Sequence, residues 1–194
     1  FLAENLKAQN ILIEPESRNR WDLFKEMVSA AVGRGDIGSE WSESVLQALV
    51  EREKMMSTGI GNGVAIPHCT IENFPGLVVL FALSSKGVSF NSIDGQPAKI
   101  VIMLIVPRNK RGQHVKMLAS IARTLAGTEI KSKIMACTSA DDIIQLFLQD
   151  DLVHHPRESD ALSDVPLAGD PGDCAFDAQA EAAVRDRAVF AQVE

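Results

Sequence analysis

The chain of 194 residues has few cysteines and lacks a hydrophobic run long enough to cross a bilayer. Its three cysteines, Cys69, Cys137 and Cys174, are too few and too scattered for a disulfide framework or a CxxC site. The longest apolar run falls short of the roughly 20 residues that a transmembrane helix needs. The opening residues, FLAENLKAQN, lack the basic and apolar regions of a signal peptide. These absences predict a cytoplasmic protein with reduced thiols.

The chain also lacks an excess of basic charge. It has 19 Lys and Arg against 26 Asp and Glu, for a net charge of −7. Residues 151–194 contain ten acidic residues and three arginines, so the whole acidic excess lies there and the rest of the chain is neutral. A duplex-binding surface needs a clear basic excess, so no nucleic-acid partner is expected.

One local basic cluster stands out from this neutral background: Arg108, Lys110, Arg111 and Lys116. Such a run is typical of a solvated loop and helix start. The alternative is that it borders a phosphate site or the surface for an acidic partner.

Helical periodicity marks both ends of the first 149 residues. Trp21, Phe24, Met27, Val28 and Ala31 recur at helical spacing until Gly33 and Gly35. A second helix is predicted from an N-cap at Ser39 or Ser42, with Val45, Leu46, Leu49 and Val50 on its apolar face. Three more helices are predicted from Gly112, over 128–136 and over 139–149, the last opened by Ser139.

Two short apolar runs, Leu77 to Leu83 and Ile100 to Val106, are rich in β-branched residues and predict buried strands. Helices before and after these strands predict one α/β domain with a mixed central sheet flanked by helices. We assign residues 1–149 to this domain. Residues 150–194, rich in Pro, Gly, Ala and Asp, are predicted to be an acidic linker or tail with a short amphipathic helix at about 177–192.

The chemistry-bearing segment lies between the second helix and the strands. Pro67 restricts Ile66 to an extended conformation, so the chain is expected to leave a strand just where it presents His68. Upstream, Gly59, Gly61 and Gly63 would let backbone N–H groups converge on an anion, although a flexible hairpin would have the same glycines.

Residues Glu51 to His68, EREKMMSTGIGNGVAIPH, closely resemble the active-site signature of enzyme IIA of the bacterial phosphoenolpyruvate sugar phosphotransferase system. The branch is the fructose/mannitol type, which includes the nitrogen-regulatory IIA proteins. The resemblance extends to FNSIDGQP at 90–97, to the strand that ends at Pro107 and to QHVKMLASIARTL at 113–125. It covers roughly residues 5–149.

This resemblance implies a phosphocarrier. Its histidine, His68 here, would accept a phosphoryl group from HPr or a related carrier and pass it to a IIB domain in sugar uptake. The site arginine of the family falls on Arg52 and its second histidine on His114. The chain would meet the membrane only indirectly, through a permease.

Physical chemistry supports these assignments. Neutral imidazole offers a lone pair near pH 7, and the charge on the transferred group needs positioned donors. Arg52 could offer a planar fork, and His114, near a helix N-terminus, a further hydrogen bond. The N–H groups around Thr58 and Gly59, with the Thr58 hydroxyl, could bind the phosphate.

Neighbouring residues have plainer interpretations. Asp94 is predicted to shape its turn, and Cys69, which stands where the family often has glycine, to pack. Met55 and Met56 are predicted to fill the core or an interface.

Two other functions remain open. The first is a regulatory protein whose phosphorylation at His68 controls binding to regulatory partners. The second is a metal site from His68, Cys69 and His114, which would be a poor tetrahedral set, so neither a metal nor a cofactor is expected.

Overall fold

The computed structural model describes the backbone of residues 2–154, with side chains except at residues 3, 110–116 and 150–154. The helices are α1 (Leu2–Asn5), α2 (Arg20–Gly33), α3 (Ser42–Met55), α4 (Arg111–Ala126), α5 (Thr128–Ala136) and α6 (Ala140–His154). The strands are β1 (Leu6–Ile13), β2 (Gly59–Gly61), β3 (Val64–Ala65), β4 (His68–Ile71), β5 (Val78–Val88) and β6 (Ala98–Pro107). Short 3-10 helices cover Ser39–Trp41 and Arg108–Lys110.

The strands form one mixed sheet, as predicted. β1 pairs parallel with β5, and β5 pairs antiparallel with β6. The other edge of β6 is shared by β3 and β4, both parallel to it, and β2 extends β3 in the antiparallel sense. A single strand, β6, therefore aligns the segments on both sides of Pro67.

Helices cover both faces of this sheet. On one face, Leu80 and Met103 pack with α2 and α3 side chains such as Phe24 and Leu49. On the other face, Phe81 and Leu104 pack with residues of α4, α5 and α6. Because successive strand residues face opposite layers, both faces need apolar side chains, which explains the unbroken apolar runs of β5 and β6.

Most predicted elements are confirmed, with three corrections. β5 and β6 extend beyond the predicted runs, and β1 precedes all the elements that periodicity indicated. β1 escapes notice because residues 7–10, which are mostly polar, separate Leu6 from the apolar run at residues 11–13, across a shift in register. The N-cap prediction for α3 was wrong. Ser42 is its first residue, and Trp41 precedes it without a side-chain cap, because a 3-10 turn leads into the helix.

At the carboxyl end, Ser139 caps α6 by accepting a hydrogen bond from Asp142 N–H at 3.2 Å, as predicted. The helix continues to His154. Most of the predicted tail, including its helix at about 177–192, lies outside the described residues. None of the helices in the described range is both long and apolar enough to span a membrane.

Candidate functional site

His68 is the first residue of β4 and pairs with Leu104 of β6. The sequence predicted that a strand would end just where the chain reaches His68. The preceding strand, β3, instead ends at Ala65, before Ile66 and Pro67. Ile66 and Pro67 bridge the two short strands. The imidazole therefore stands at the start of a strand that is held by the central sheet.

Two contacts define the protonation of the His68 ring. Nδ1 lies 2.8 Å from the carbonyl oxygen of Ile66, which can only accept, so Nδ1 carries a proton. Nε2 lies 3.2 Å from Nε of Arg52, which can only donate. The ring is consequently neutral, and its lone pair is on Nε2. Its side chain is largely covered, since the residue is only 5 % exposed.

Arg52 lies in the last turn of α3, next to His68 as the sequence predicted. Its Nη1 also donates to the carbonyl oxygen of Met56 at 3.0 Å. This second bond ties the guanidinium to the end of its own helix. The Nε–H edge of the guanidinium is thus directed at Nε2 of His68.

The structure places Thr58 and Gly59 beside the site but gives their donors protein partners. Thr58 donates from its backbone N–H and its hydroxyl to Glu53 Oε2, at 2.9 and 2.6 Å. Gly59 N–H donates to Ser57 Oγ at 3.1 Å. These N–H groups are part of a hydrogen-bonded segment around the histidine.

The glycine cluster permits a close approach between this segment and the loop at residues 90–97. A Cβ at Gly59 would lie 2.5 Å from Ser92 Oγ and 3.0 Å from Ser92 Cα. Asp94 accepts from Asn62 N–H at 2.7 Å and from Gln96 N–H at 3.0 Å, so its predicted turn-shaping role is confirmed. Gly59 and Gly61 thus allow this segment to lie close to the loop at residues 90–97.

Glu53 and Arg20 were not predicted from the sequence. The Glu53 carboxylate is only 2 % exposed, and Arg20 Nη1 lies 3.5 Å from its Oε1. One signal was present: Glu53 follows Val45 and Leu49 at four-residue spacing, so it falls on the buried face of α3.

Three other predictions concern neighbours of the site. Cys69 packs in the core as expected, and burial raises the pKa of its thiol to about 12. Met55 and Met56 are exposed, which contradicts a core role. The backbone of His114 lies in the first turns of α4, but its side chain and most of the basic cluster are outside the described part.

No group of three His, Cys, Asp or Glu residues is placed to hold a metal ion within the described residues. The metal interpretation needed the side chain of His114, which lies beyond that description.

Residues 4–150 match the family model of the phosphoenolpyruvate-dependent sugar phosphotransferase system, EIIA 2. The chain is 30 % identical over 150 residues to the fructose-specific EIIABC component of Bacillus subtilis. That match covers 77 % of this chain but only 23 % of the relative. It is also 34 % identical over 113 residues to a nitrogen regulatory protein of Bradyrhizobium diazoefficiens, covering 58 % of this chain and 74 % of that protein.

Solved structures show the same fold. The nitrogen regulatory protein IIA-Ntr of Neisseria meningitidis superposes with a TM-score of 0.68 at 28 % identity, over 75 % of this chain and 97 % of that one. Enzyme IIA mannitol of Escherichia coli, in a complex with phosphorylated enzyme IIB mannitol, superposes with a TM-score of 0.61 at 22 % identity. That similarity covers 74 % of this chain and 97 % of the neighbour, and it shows the fold alone.

Proposed function

Because this chain belongs to the EIIA 2 family of the phosphoenolpyruvate-dependent sugar phosphotransferase system, we propose that it is a phosphocarrier whose acceptor is His68. The observation that carries the proposal is the state of the ring. Its Nδ1 proton is bound by Ile66 and its Nε2 lone pair faces Arg52. A neutral imidazole with a defined lone pair is the nucleophile that phosphoryl transfer requires.

The proposed transfer joins Nε2 of His68 to phosphorus. The N–P bond of the incoming phosphohistidine breaks, and its electron pair returns to the donor imidazole. His68 keeps its Nδ1 proton, so the phosphorylated ring gains positive charge. The Ile66 carbonyl oxygen, 2.8 Å from Nδ1, is placed to stabilise that charge.

Arg52 has two roles in this proposal. Its Nε–H occupies the Nε2 lone pair before transfer and must leave it when the phosphoryl group arrives. The released guanidinium then offers its planar donors to the phosphoryl oxygens. His114 stays a predicted second donor.

Phosphate binding by Thr58 and Gly59 also stays a prediction. The Thr58 donors are bound to Glu53 and the Gly59 N–H to Ser57. These bonds would have to break before either residue could bind a phosphoryl oxygen.

Protein partners are part of the proposal: HPr or a nitrogen-branch equivalent as donor, and a IIB domain as acceptor. Met55 is 67 % exposed and Ile93 is 59 % exposed, and Met56 is exposed between Met55 and the site segment. Such apolar side chains at a surface favour protein binding. We propose that this transfer takes place in the cytoplasm.

A regulatory role is the second candidate. The similarity to nitrogen regulatory proteins in sequence and structure supports it. In that role the phosphorylation state of His68 would control binding to a regulatory partner instead of supplying a IIB domain.

Phosphorylation with purified carriers tests the proposal. Incubation with phosphoenolpyruvate, enzyme I and HPr should add one acid-labile phosphoryl group. NMR spectroscopy should locate that group on Nε2 of His68. His68→Ala should abolish labelling, whereas the control His154→Ala should keep it. Absence of labelling in the wild type, or equal labelling of His68→Ala, would overturn the proposal.

The fate of the label separates the two candidates. Rapid loss of the phosphoryl group to a sugar-specific IIB domain supports transport. A stable label that changes partner binding supports regulation. Zinc analysis of the purified protein tests the metal alternative.

A further inference from the structure

We propose that the buried carboxylate of Glu53 is a positioning residue that fixes the reactive tautomer of His68 by anchoring Thr58. The inference deepens the proposed function and rests on it, since it concerns the same imidazole. Glu53 acts through Thr58 and Ile66 and does not touch the phosphoryl group.

The first step is the bond between Glu53 and Thr58. Oε2 accepts both the backbone N–H and the hydroxyl of Thr58, at 2.9 and 2.6 Å. Glu53 is 2 % exposed and Thr58 is 5 % exposed, so little water competes for these bonds. A buried carboxylate with two donors from one residue holds that residue in a single position.

The second step is the charge partner of Glu53. Arg20 Nη1 lies 3.5 Å from Oε1, which has no hydrogen-bond partner among the described residues, so charge attraction holds this side of the carboxylate. The same Nη1 donates to the carbonyl oxygen of Phe90 at 2.7 Å. The hydroxyl of Ser57 donates to that carbonyl as well. The segment at 57–58 is therefore bonded to α3 and to the loop at residues 90–97, and Arg20 of α2 contacts both of these partners.

The third step leads from Thr58 to the ring. The carbonyl oxygen of Thr58 accepts the N–H of Ile66 at 3.0 Å. The carbonyl oxygen of Ile66 in turn accepts the Nδ1 proton of His68 at 2.8 Å. A shift of Thr58 would move Ile66, and the acceptor that keeps the proton on Nδ1 would move with it.

Glu53 also neighbours Arg52 on α3. Anchoring Glu53 fixes the last turn of that helix, from which Arg52 reaches Nε2 of His68. One buried carboxylate thus steadies the groups at both ring nitrogens.

This role and the predicted binding of phosphate by Thr58 lead to opposite expectations. If Glu53 anchors Thr58, loss of the Glu53 charge harms the site. If the Thr58 hydroxyl binds phosphate, loss of that charge frees the hydroxyl and preserves or raises the rate of transfer.

The experiment uses the full chain with Glu53→Gln, Thr58→Val, the double variant and Thr58→Ser. The fraction of His68 with its proton on Nδ1 is read from ¹⁵N chemical shifts of the unphosphorylated protein, and kcat and KM are measured with phosphorylated HPr. Glu51→Gln is the matched control, because Glu51 is an exposed carboxylate on the same helix.

We expect Glu53→Gln and Thr58→Val each to lower the Nδ1–H fraction and to lower kcat about tenfold, with KM little changed. The double variant should lose less than the sum of the two single losses, because both substitutions weaken the same contact between Glu53 and Thr58. Thr58→Ser keeps both donors and should keep the wild-type Nδ1–H fraction. Glu51→Gln should leave both the Nδ1–H fraction and kcat within about twofold of the wild type.

Wild-type tautomer and kcat in Glu53→Gln would overturn the inference, as would additive losses in the double variant. If Glu53→Gln does not fold, Thr58→Val and Thr58→Ser still decide, since unchanged tautomer and kcat in Thr58→Val would also overturn it. The tautomer measurement needs no phosphoryl transfer, so failure of this inference is distinguishable from failure of His68 as the acceptor.

Discussion

The chemistry of the site depends on which nitrogen of His68 carries a proton. An Ile66 carbonyl at 2.8 Å and an Arg52 donor at 3.2 Å leave one choice, a neutral ring with its lone pair on Nε2. The neighbouring Cys69 does not compete as a nucleophile, because burial raises the pKa of its thiol to about 12. At the scale of single residues, the described part of the site is a neutral imidazole with the Arg52 guanidinium directed at its Nε2.

Substitution of Arg52 tests that arrangement. We expect Arg52→Ala to slow acceptance of the phosphoryl group about 100- to 1000-fold, because a positioned donor to the developing charge is lost. Rapid-quench kinetics with phosphorylated HPr would measure the rate, and the melting temperature would show an intact fold. Arg123→Ala, which removes an exposed arginine of α4, is the control. Equal rates in the two variants would exclude the role of Arg52.

At the scale of elements, the site depends on contacts between loops that the sheet brings together. The segment 57–63 lies against the loop at residues 90–97 because Gly59 has no side chain. Within α2, Glu26 accepts hydrogen bonds from the backbone N–H of Glu16 and from the backbone N–H and hydroxyl of Ser17. These bonds attach the segment that precedes α2 to the helix that carries Arg20. The first contact holds the segment 57–63, which includes Thr58, and the second holds the start of α2, which carries Arg20.

Gly59→Ala should lower the free energy of unfolding by about 1–3 kcal/mol, because the added methyl group would overlap Ser92. Gly33→Ala is a matched control, since nothing lies within 4 Å of a Cβ there. Denaturant titration of both variants is the measurement. A Gly59→Ala protein as stable as Gly33→Ala would show that the close approach of the two loops is not required.

Glu26 predicts a pH dependence of stability. Partial burial works against ionisation, yet hydrogen bonds from Ser17 and Glu16 and the charge of Arg18 hold the pKa of this carboxyl below its ordinary value of 4.5. A lowered folded-state pKa stabilises the protein above the unfolded-state pKa, and the contribution is lost as the pH falls through the folded value.

The stability advantage of the wild type over Glu26→Gln should therefore be full at pH 7 and shrink as the pH falls below about 4.5. Urea unfolding at several pH values would measure it. The control, Glu16→Gln, alters an exposed carboxylate and should show no such change. A difference that is constant with pH would contradict this role of Glu26.

For the whole molecule, the arrangement of exposed apolar side chains is the informative feature. Met55 lies on α3 and Ile93 lies in the loop at residues 90–97, and both are exposed. The segment 57–63 follows α3 in the chain and contacts that loop. Leu148 is also exposed, but it lies on α6. That helix packs near β1, which is an edge strand of the sheet, whereas β4 pairs with β6. Met55 and Ile93 thus belong to elements that border the segment 57–63, whereas Leu148 belongs to α6.

A charge at Met55 or Ile93 should weaken docking of the carrier protein and leave the chemistry intact. We expect Met55→Glu and Ile93→Glu to raise KM for phosphorylated HPr about tenfold. Phosphorylation by the small donor phosphoramidate should continue at the wild-type rate, and Leu148→Glu should change neither value. If Met55→Glu and Ile93→Glu have the same KM as Leu148→Glu, Met55 and Ile93 do not contribute to docking of the carrier protein.

The sequence by itself determined the fold class, most helices and the two central strands, and the motif that resembles the enzyme IIA family implied that Arg52 lies beside His68. Each of these features depends on residues that are close together in the chain. Apolar periodicity indicates the helices and strands, and a motif of fixed spacing indicates the site. The tertiary structure alone decided the positions of β1, of Glu53 with Arg20, and of the Gly59 contact with Ser92. Each of these joins residues distant in the chain, and whether a carboxylate is buried or a glycine is crowded depends on what the folded chain brings against it.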